Sequence, residues 1–434
     1  MKKRILIISS ESWRPESSGG NVLTNLFEGL KGDYEFAQIY CNSQLPSNNI
    51  CKRYFHLSEK DMLKNVIKRT PFGKKIIYKD FPQNIEECQD SSDITAKGLF
   101  FFIRQLRWEI FQTFRYFLWY VSNWKTYELK KFILDFNPDI IFAPMYYDLH
   151  LHRLDRYVAK LTKKKIISYV YDDHLSFKQF SLSPFYWFNR ILLRYNIIKT
   201  SKHYSLLYSM TQEQIDEYQP ILHVPMKLLK KGNEFSSKKM PVHKLHKPLK
   251  IIYGGNLFYK RNKVLECFAD ALEEINKGQL KAQLYIYTQN PLTEKIKRQL
   301  NKGDSCFLKG KISNEALMKE YETCDVALHV ESLCLKPRLI TRLSFSTKIV
   351  DLMFKSCCIL AICWEGSSPY KYLVKEDAAI CIHNLSDIKK VLTKLIENPA
   401  VIKEYQIKSW ECGVRNHNIS DINLMLKTDF DYYS

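Results

Sequence analysis

The tetrapeptide 171–174 (YDDH) directly follows a short apolar run that ends at Val170. Two carboxylates and an imidazole at the carboxyl end of a buried strand are placed for acid–base chemistry or for orienting a hydroxyl group. Adjacent carboxylates repel each other, which indicates that the protein uses them. We predict that Asp172, Asp173 and His174 form a catalytic site. Which of the three acts on the substrate stays open.

Two glycine-rich turns offer backbone amides to a ligand, and the first contains Gly19 and Gly20. It lies between an apolar opening strand and the helix that follows. Glycines let a ligand approach the backbone closely, and a helix N-terminus favours an anion. These glycines are adjacent and lie late in the loop after the strand, unlike the glycines of the GxGxxG pattern of a dinucleotide fold. An ordinary tight turn is therefore the alternative.

The second turn belongs to the segment 253–262 (YGGNLFYKRN) and is followed by two cations, Lys260 and Arg261. Arginine offers a bidentate fork and lysine a point charge, so together they could hold a diphosphate. The alternative is a basic turn that is simply solvated.

The segment 344–351 (SFSTKIVD) leads into a predicted helix. Ser346 and Thr347 are expected to cap this helix, whose free amides would then face a phosphate. Asp351 lies one turn inside the helix, where a carboxylate can accept hydrogen bonds from both hydroxyls of a ribose. Lys348 would pair with the phosphate or extend into solvent.

No metal site is predicted. Asp429 and Asp431 have the spacing of a metal-binding DxD, but they lie near the end of the sequence, in a tail that we expect to fray. The 12 cysteines include no CxxC with a matching His or Cys pair. Buried free thiols in a reducing compartment explain them more simply, which predicts a cytoplasmic protein.

Short apolar runs alternate with helical patterns along the chain, which favours parallel α/β sheets. The predicted strands are 4–9, 139–143, 165–170, 203–208, 249–253, 282–287, 307–308, 326–330 and 358–362. Predicted helices include 21–30, 314–321 and 347–355. Ligands of open α/β sheets bind at the carboxyl ends of the strands, which is where the candidate residues fall.

The composition divides the chain into two halves. Residues 226–248 are rich in Pro, Gly, Ser and Lys and have little apolar periodicity, so we predict a linker there. We expect one doubly wound domain over 1–225 and a second over 249–410. A C-terminal helix over 411–434 is expected to cross back to the first domain. The length of 434 residues excludes a disulfide miniprotein.

A basic aromatic segment occupies about 52–131. Its apolar residues recur at every third or fourth position, with Arg and Lys between them. Two interpretations stay open: a pair of packed helices inserted into the first domain, or an amphipathic surface that lies on an anionic bilayer. The chain has 66 Lys and Arg against 46 Asp and Glu, a net charge of +20, which fits the second interpretation.

Neither a secretory leader nor a membrane span is expected. The apolar run 5–8 is only four residues long, whereas a signal peptide needs about 7–15 apolar residues. The longest apolar stretch, 99–121, is interrupted by Arg104, Arg107, Glu109 and Arg115.

Taken in order, the segments of the second half resemble the nucleotide-sugar glycosyltransferases of the GT-B fold, similar to family four. The resemblance covers 249 to about 400 and rests on IIYGGNLFYKRN, CFLKGKISNEALMKEYETCDVALHV, SFSTKIVDLMFKSCCILAI and WEGSSPYKYL. In the first half it is carried by SSGGNVLTNL, NPDIIFAP and YVYDDHLSF. It implies an α/β architecture in which two Rossmann-like doubly wound domains face each other across a cleft.

The resemblance implies transfer of a sugar from a nucleotide diphosphate to a hydroxyl acceptor, with retention at the anomeric carbon. It implies neither metal nor cofactor, since the nucleotide-sugar is the substrate. The implied donor-binding residues are Gly19, Gly20, Asn256, Lys260, Arg261, Glu331, Ser346, Thr347, Lys348 and Asp351.

The sequence departs from the family pattern at several of these positions. The usual Glu-x7-Glu pair is not intact, because Asp351 replaces the second glutamate and Leu343 the first. Glu331 is assigned to the donor sugar in its place. Asn256 stands where arginine is common, which leaves Arg261 to supply the charge that binds the diphosphate.

Charge and resemblance together predict a lipid-linked glycan as acceptor, at an anionic membrane surface, in the assembly of a capsule or exopolysaccharide. The protein would be cytoplasmic and peripheral on the inner face of the plasma membrane. A GT-B-like sugar-nucleotide epimerase is one alternative, but it would need no acceptor surface. A nucleic-acid-binding protein is another, yet Lys and Arg are spread over the chain and no reading module occurs, so no nucleic-acid partner is predicted.

Overall fold

A computed structural model describes residues 2–70, 72–77, 109–235, 239–242 and 244–434. Strand β1 (Lys3–Ile8) shows how its core is built. Ile5 and Ile7 belong to one hydrophobic cluster, and Leu6 and Ile8 belong to another. Successive side chains of a strand point to opposite faces, so both faces of the sheet are covered, as a parallel sheet requires.

The described residues of the first half form an eight-stranded sheet in the order β4-β3-β2-β1-β5-β6-β7-β8. Neighbouring strands are parallel except β3 and β4. The remaining strands are β2 (Tyr34–Tyr40), β3 (Arg53–His56), β4 (Lys74–Ile77), β5 (Ile140–Pro144), β6 (Ile166–Val170), β7 (Tyr204–Ser209) and β8 (Met226–Leu228). The described helices are α1 (Ser18–Phe27), α2 (Glu59–Lys68), α3 (Glu109–Val121), α4 (Tyr127–Phe136), α5 (Leu149–Thr162), α6 (Pro184–Ser201) and α7 (Gln212–Leu222).

The second half forms a six-stranded parallel sheet in the order β11-β10-β9-β12-β13-β14. Its strands are β9 (Leu249–Gly254), β10 (Ala282–Tyr287), β11 (Cys306–Gly310), β12 (Val326–Val330), β13 (Cys358–Ile362) and β14 (Ile380–Ile382). The helices are α8 (Arg261–Ile275), α9 (Glu294–Leu300), α10 (Asn314–Tyr321), α11 (Leu335–Ile340), α12 (Lys348–Phe354), α13 (Ser368–Lys375), α14 (Ile388–Glu397), α15 (Pro399–Asn416) and α16 (Ile419–Tyr433).

The predicted parallel α/β class is confirmed, and each predicted strand matches its observed bounds within about two residues. Strand β2 is buried within the first sheet but was not predicted. The edges differ from the predictions. β3 and β4 lie within the segment for which we expected inserted helices or an amphipathic surface, and β8 lies in the predicted linker. These strands are only three or four residues long, too short to show a period. Residues 78–108 of the basic aromatic segment lie outside the described residues.

The C-terminal helix α16 packs on α1 in the first half. The ring of Phe430 stacks on Phe27, with centroids 6.1 Å apart. Asp429 is buried. Its carboxylate accepts a hydrogen bond from the Tyr208 hydroxyl (2.6 Å) and forms an ion pair with Lys227. The expectation that this tail frays is therefore wrong, and Asp429 is committed to holding the helix in place.

Within the described residues, the structure contains no helix that is both long enough and apolar enough to cross a bilayer.

We expect Asp429→Ala to lower the free energy of unfolding by about 1–3 kcal/mol, because it leaves the buried Tyr208 hydroxyl without an acceptor. Asp431→Ala is the matched control, since Asp431 is half-exposed and its ion pair with Lys3 is screened by solvent. Urea unfolding of both variants checks this. Equal loss of stability in the two would contradict the assignment.

Candidate functional site

Each sheet reverses its strand order at one point, between β1 and β5 in the first sheet and between β9 and β12 in the second. The loops that follow such strands diverge and leave a crevice at the carboxyl edge of the sheet, where ligands bind. The two edges meet, because the Ser344 hydroxyl of the second half donates to Asp172 Oδ1 of the first half over 2.5 Å. The candidate site is the cleft between these two reversal points.

An ion pair between Arg261 and Glu331 forms the centre of the second-half edge. Arg261 begins α8 and Glu331 follows β12. Arg261 Nη2 lies 2.8 and 2.7 Å from the two carboxylate oxygens of Glu331, and Nη1 lies 2.5 Å from Asn256 Oδ1. Both members of the pair are only 13–14% exposed. Burial raises the pKa of Glu331 even though Arg261 and Lys348 oppose that rise.

Lys348 and His329 complete what we call the donor-side cluster: Arg261, His329, Glu331 and Lys348. Lys348 Nζ donates to the carbonyl oxygen of Gly254 over 3.0 Å. Burial, and then the charge of Arg261, lower the pKa of Lys348. Burial, Arg261 and Lys348 lower the pKa of His329 to about 3, so its imidazole is neutral at physiological pH. Two cations against one carboxylate leave the cluster positive, which suits a diphosphate.

The glycine turn after β9 is tight because Lys348 crosses it. A Cβ atom placed on Gly255 would lie 2.9 Å from Lys348 Nζ, and one placed on Gly254 would lie 2.5 Å from the Tyr321 hydroxyl. The turn therefore has no room for side chains. After it, Lys260 adopts a left-handed conformation, with φ 64°, at the start of α8. Its side chain is exposed and makes no ion pair among the described residues, so Arg261, not Lys260, enters the cluster.

The start of α12 differs from its prediction. Thr347 occupies the cap position, but it has helical dihedral angles and its hydroxyl makes no capping hydrogen bond, so the predicted role of Thr347 as a cap is wrong. Ser346 contributes its carbonyl oxygen, which accepts from the amide of Ile349 (3.1 Å). Asp351 Oδ1 accepts from Lys231 Nζ over 2.6 Å, which ties the predicted linker to this helix.

The first-half edge carries a group of four side chains, of which the sequence analysis predicted only Asp172. We call Glu11, Tyr146, Tyr171 and Asp172 the acceptor-side cluster. Glu11 follows β1, and its carbonyl oxygen accepts from Ser9 Oγ (2.6 Å) and from buried Gln38 Nε2 (2.9 Å). An acid directly after the first apolar run was the signal available in the sequence.

Two atoms of this cluster are buried without a partner among the described residues: Glu11 Oε2 and the Tyr171 hydroxyl. Burial raises the pKa of Tyr146 and of Tyr171, and the charge of Glu11 adds to both shifts. The phenols therefore stay protonated and can donate hydrogen bonds. A buried carboxylate oxygen and a buried hydroxyl left unpaired are costly unless a ligand satisfies them.

The glycine pair folds around Glu11 at the start of α1. Helix α1 begins at Ser18, three residues before its predicted start, so Gly19 and Gly20 lie in its first turn. The Ser17 hydroxyl accepts from the amide of Gly20 (3.1 Å). A Cβ atom on Gly20 would lie 2.0 Å from the carbonyl oxygen of Arg14, and one on Gly19 would lie 3.3 Å from Glu11 Oε2. The structure therefore places Gly19 beside Glu11 of the acceptor-side cluster, whereas Gly20 packs against the main chain of Arg14.

Asp173 differs from its neighbour Asp172, because its side chain is completely buried. Its carboxylate accepts from Arg190 Nη2 (3.1 Å), the Tyr218 hydroxyl (3.1 Å) and the Ser176 amide (3.0 Å). Burial alone would raise the pKa of Asp173, but Arg190 and the hydrogen bonds from Ser176 hold it below its usual value. An acid surrounded by donors in this way cannot reach a substrate, so we assign it a positioning role.

His174 stands beside this acid, and its main-chain amide donates to the Tyr218 hydroxyl over 2.7 Å. Burial lowers the pKa of its imidazole, although the charge of Asp172 opposes that shift. The imidazole is therefore neutral at physiological pH and lies next to Tyr147, with ring centroids 6.3 Å apart. Of the three residues predicted from YDDH, Asp172 alone has an exposed side chain.

The loop that begins at Asp173 also contacts the second half. Arg342 Nη2 lies 2.9 Å from Glu217 Oε2 and 3.5 Å from Asp173 Oδ2. Gln179 Nε2 donates to the carbonyl oxygen of Leu339 over 3.1 Å. These contacts lie next to the bond between Ser344 and Asp172, so the two edges of the cleft are held together at this end.

No protein-family model matches the sequence, and no curated protein matches it. Solved structures do match over nearly the whole chain. HepE from Anabaena, in complex with UDP and glucose, is 11% identical with a TM-score of 0.60, covering 99% of this chain and 100% of that one. Sucrose-phosphate synthase from Thermosynechococcus elongatus is 11% identical with a TM-score of 0.61, covering 99% of both chains. The trehalose-6-phosphate protein from E. coli bound with UDP-2-fluoro glucose is 13% identical with a TM-score of 0.59, again covering 99% of both.

These similarities extend over both halves of the chain, and at such low identity they establish the fold. The predicted GT-B architecture of two Rossmann-like domains is confirmed.

We expect Asp173→Asn to destabilise the protein by about 3–5 kcal/mol, because it leaves Arg190 buried without its counter-charge. Asp172→Asn is the matched variant, since Asp172 is exposed and should change stability little. Thermal and urea unfolding of the two proteins measure this. If Asp173→Asn were as stable as the parent, the positioning role would be wrong, and Asp173 would again be a candidate for acting on the substrate.

Proposed function

We propose that the protein is a glycosyltransferase that moves a sugar from a UDP-sugar to a hydroxyl group. The observation that carries this proposal is the pairing of two edges across the cleft: the positive donor-side cluster faces the carboxylates and phenols of the acceptor-side cluster. Among the solved structures of the same fold are complexes with UDP, with UDP and glucose, and with UDP-2-fluoro glucose, which supports UDP as the nucleotide.

The chemistry follows from the charges. When the bond to the sugar breaks, negative charge collects on the departing diphosphate. Arg261 and Lys348 are fixed cations in a largely buried site, where they stabilise that charge more strongly than water does. Asp351 would bind the ribose of the nucleotide, and Asp172 would orient the acceptor hydroxyl or stabilise the cationic sugar. We also propose retention at the anomeric carbon and independence from metal, as in the family that the sequence resembles.

The reacting part of the acceptor is proposed to be an uncharged sugar hydroxyl. The loops after β1, β5 and β6 contain five acids, which are Glu11, Glu16, Asp148, Asp172 and Asp173. The cations in those loops, Arg14 and Lys178, pair with Glu16 and Glu217, while Asp148 and Asp173 pair with Arg115 and Arg190 from neighbouring helices. Among the described residues, Glu11 and Asp172 are the two of these acids that have no ion pair, and they give the loops their net negative charge. A phosphate on the acceptor sugar would meet net negative charge there, whereas a hydroxyl finds both donors and acceptors.

We further propose that this hydroxyl belongs to a lipid-linked glycan in the synthesis of a capsule or exopolysaccharide, on the inner face of the plasma membrane. The net charge of +20 supports a location at an anionic surface.

The donor half of the proposal is tested by thermal unfolding with UDP-, GDP-, ADP- and CMP-sugars. A ligand at 100 times its Kd should add about 2.7 kcal/mol to stability. We expect a shift with a UDP-sugar that is lost in Arg261→Gln, together with a fall in transfer on the order of 10²-fold. Lys263→Ala is the control, because Lys263 lies on the same helix but is exposed and pairs with Glu266.

No shift with any nucleotide-sugar would refute the donor assignment. A shift that survives Arg261→Gln would move the diphosphate away from this cluster.

The acceptor half is tested with Glu11→Gln and Tyr171→Phe, using UDP-[14C]glucose with either a lipid extract or soluble sugar phosphates. We expect label in the lipid fraction, an increase in the acceptor KM of roughly tenfold or more in each variant, and an unchanged thermal shift with the donor. Label in sugar phosphates instead would replace the proposed acceptor class.

A further inference from the structure

Helix α6 has an unusual distribution of polar and apolar residues. Asn189 and Arg190 point inward and are 1–2% exposed, whereas Phe185, Phe188 and Ile191 point outward and are 45–58% exposed. An amphipathic helix of a globular protein normally buries the apolar side and exposes the polar one. Exposed apolar residues of this size and number mark an interaction surface.

The exposed surface extends beyond α6. Leu182, just before the helix, is 89% exposed. Helix α3 packs beside α6, and Phe114 and Phe117 on α3 are 57–58% exposed. We call the six side chains the aromatic face: Phe114, Phe117, Leu182, Phe185, Phe188 and Ile191.

The sequence around this face is basic. Residues 174–212 contain five Lys and Arg and no Asp or Glu; Arg190 is buried, and the other four cations lie on the outside of this segment. Residues 110–127 contain no acid either. Cations also lie among the rings: the Arg194 guanidinium is 4.9 Å from the centroid of the Phe177 ring, and Lys199 Nζ is 5.8 Å from that of Tyr195. The charge of the surface is thus complementary to an anionic partner and repels a second copy of itself.

We infer that the aromatic face binds the surface of an anionic lipid bilayer. Aromatic side chains are favoured at the headgroup level, and neighbouring Lys and Arg pair with lipid phosphates. Helix α6 would lie in the plane of the interface with its outward residues among the headgroups.

The position of the aromatic face suits the reaction proposed above. The role that we give to membrane binding therefore rests on the proposed function. Leu182 lies ten residues after Asp172 along the same loop, and Asp173 anchors the start of that loop through Arg190 of α6. One loop, anchored at its start, therefore joins the acceptor-side cluster to the aromatic face. A lipid-linked glycan could then reach Asp172 while its lipid stays in the bilayer.

The test is co-sedimentation of the full chain with vesicles of equal parts phosphatidylglycerol and phosphatidylcholine. The variant carries Phe185→Ser, Phe188→Ser and Ile191→Ser. We expect its partition coefficient to fall on the order of 10²-fold, because three apolar side chains no longer leave water. Binding of the parent should also fall at least roughly tenfold on pure phosphatidylcholine vesicles.

The matched control carries Val374→Ser, Ile407→Ser and Leu424→Ser, three exposed apolar residues of the second half and C-terminal helices. It should bind vesicles like the parent. Thermal unfolding with a UDP-sugar confirms that each variant is folded.

Failure of the parent to bind these vesicles would overturn the inference, as would equal binding by the α6 variant. Sedimentation velocity gives a third outcome: a dimer of the parent that the α6 variant abolishes, with vesicle binding unchanged, would assign the face to a second copy of the chain. Vesicle binding without any response to nucleotide-sugars would refute the proposed function and leave this inference standing.

Discussion

The carboxylate of Asp173 has no exposed atom, and a charge so deeply buried persists only where donors surround it. Arg190 comes from α6, Tyr218 from α7 and Arg342 from the second half of the chain. Because each donor belongs to a different element, one carboxylate fixes the loop after β6, the direction of α6 and the contact between the halves. The place of Asp172 in the cleft depends on this arrangement.

The two edges of the cleft differ in charge, and the proposed reaction depends on this difference. Arg261 and Lys348 make one edge positive, while Glu11 and Asp172 make the other negative. Glu331 keeps Arg261 oriented without neutralising the second cation. In the proposed reaction, this difference would direct an anionic leaving group and an uncharged hydroxyl to opposite sides of the cleft, which no single cluster could achieve.

The sequence predicted most of the central strands because buried parallel strands read as short apolar runs. The GT-B fold was implied by the resemblance of the ordered segments to that family. The sequence also selected Arg261, which follows a glycine turn, and Lys348, which lies at the start of a predicted helix, since both are local signals. It could not separate Asp172 from Asp173, because burial depends on Arg190 and Arg342, which come from 17 and 169 residues away. Glu11 was missed for a similar reason. Its place in a cluster depends on Tyr146 and Tyr171, which are distant in sequence and are brought beside it by the parallel sheet.

Helix α6 connects these observations. Asp173 needs Arg190 as its buried partner, so this side of the helix must face inward. The helix therefore differs from an ordinary amphipathic helix, which would expose its arginine. That requirement does not extend to the outward positions. Phe185 and Phe188 are 45% and 55% exposed, so about half of the surface of each residue lies outside the packing of the described residues. Their size and exposure are explained by a partner outside the chain, and the basic surroundings make that partner anionic.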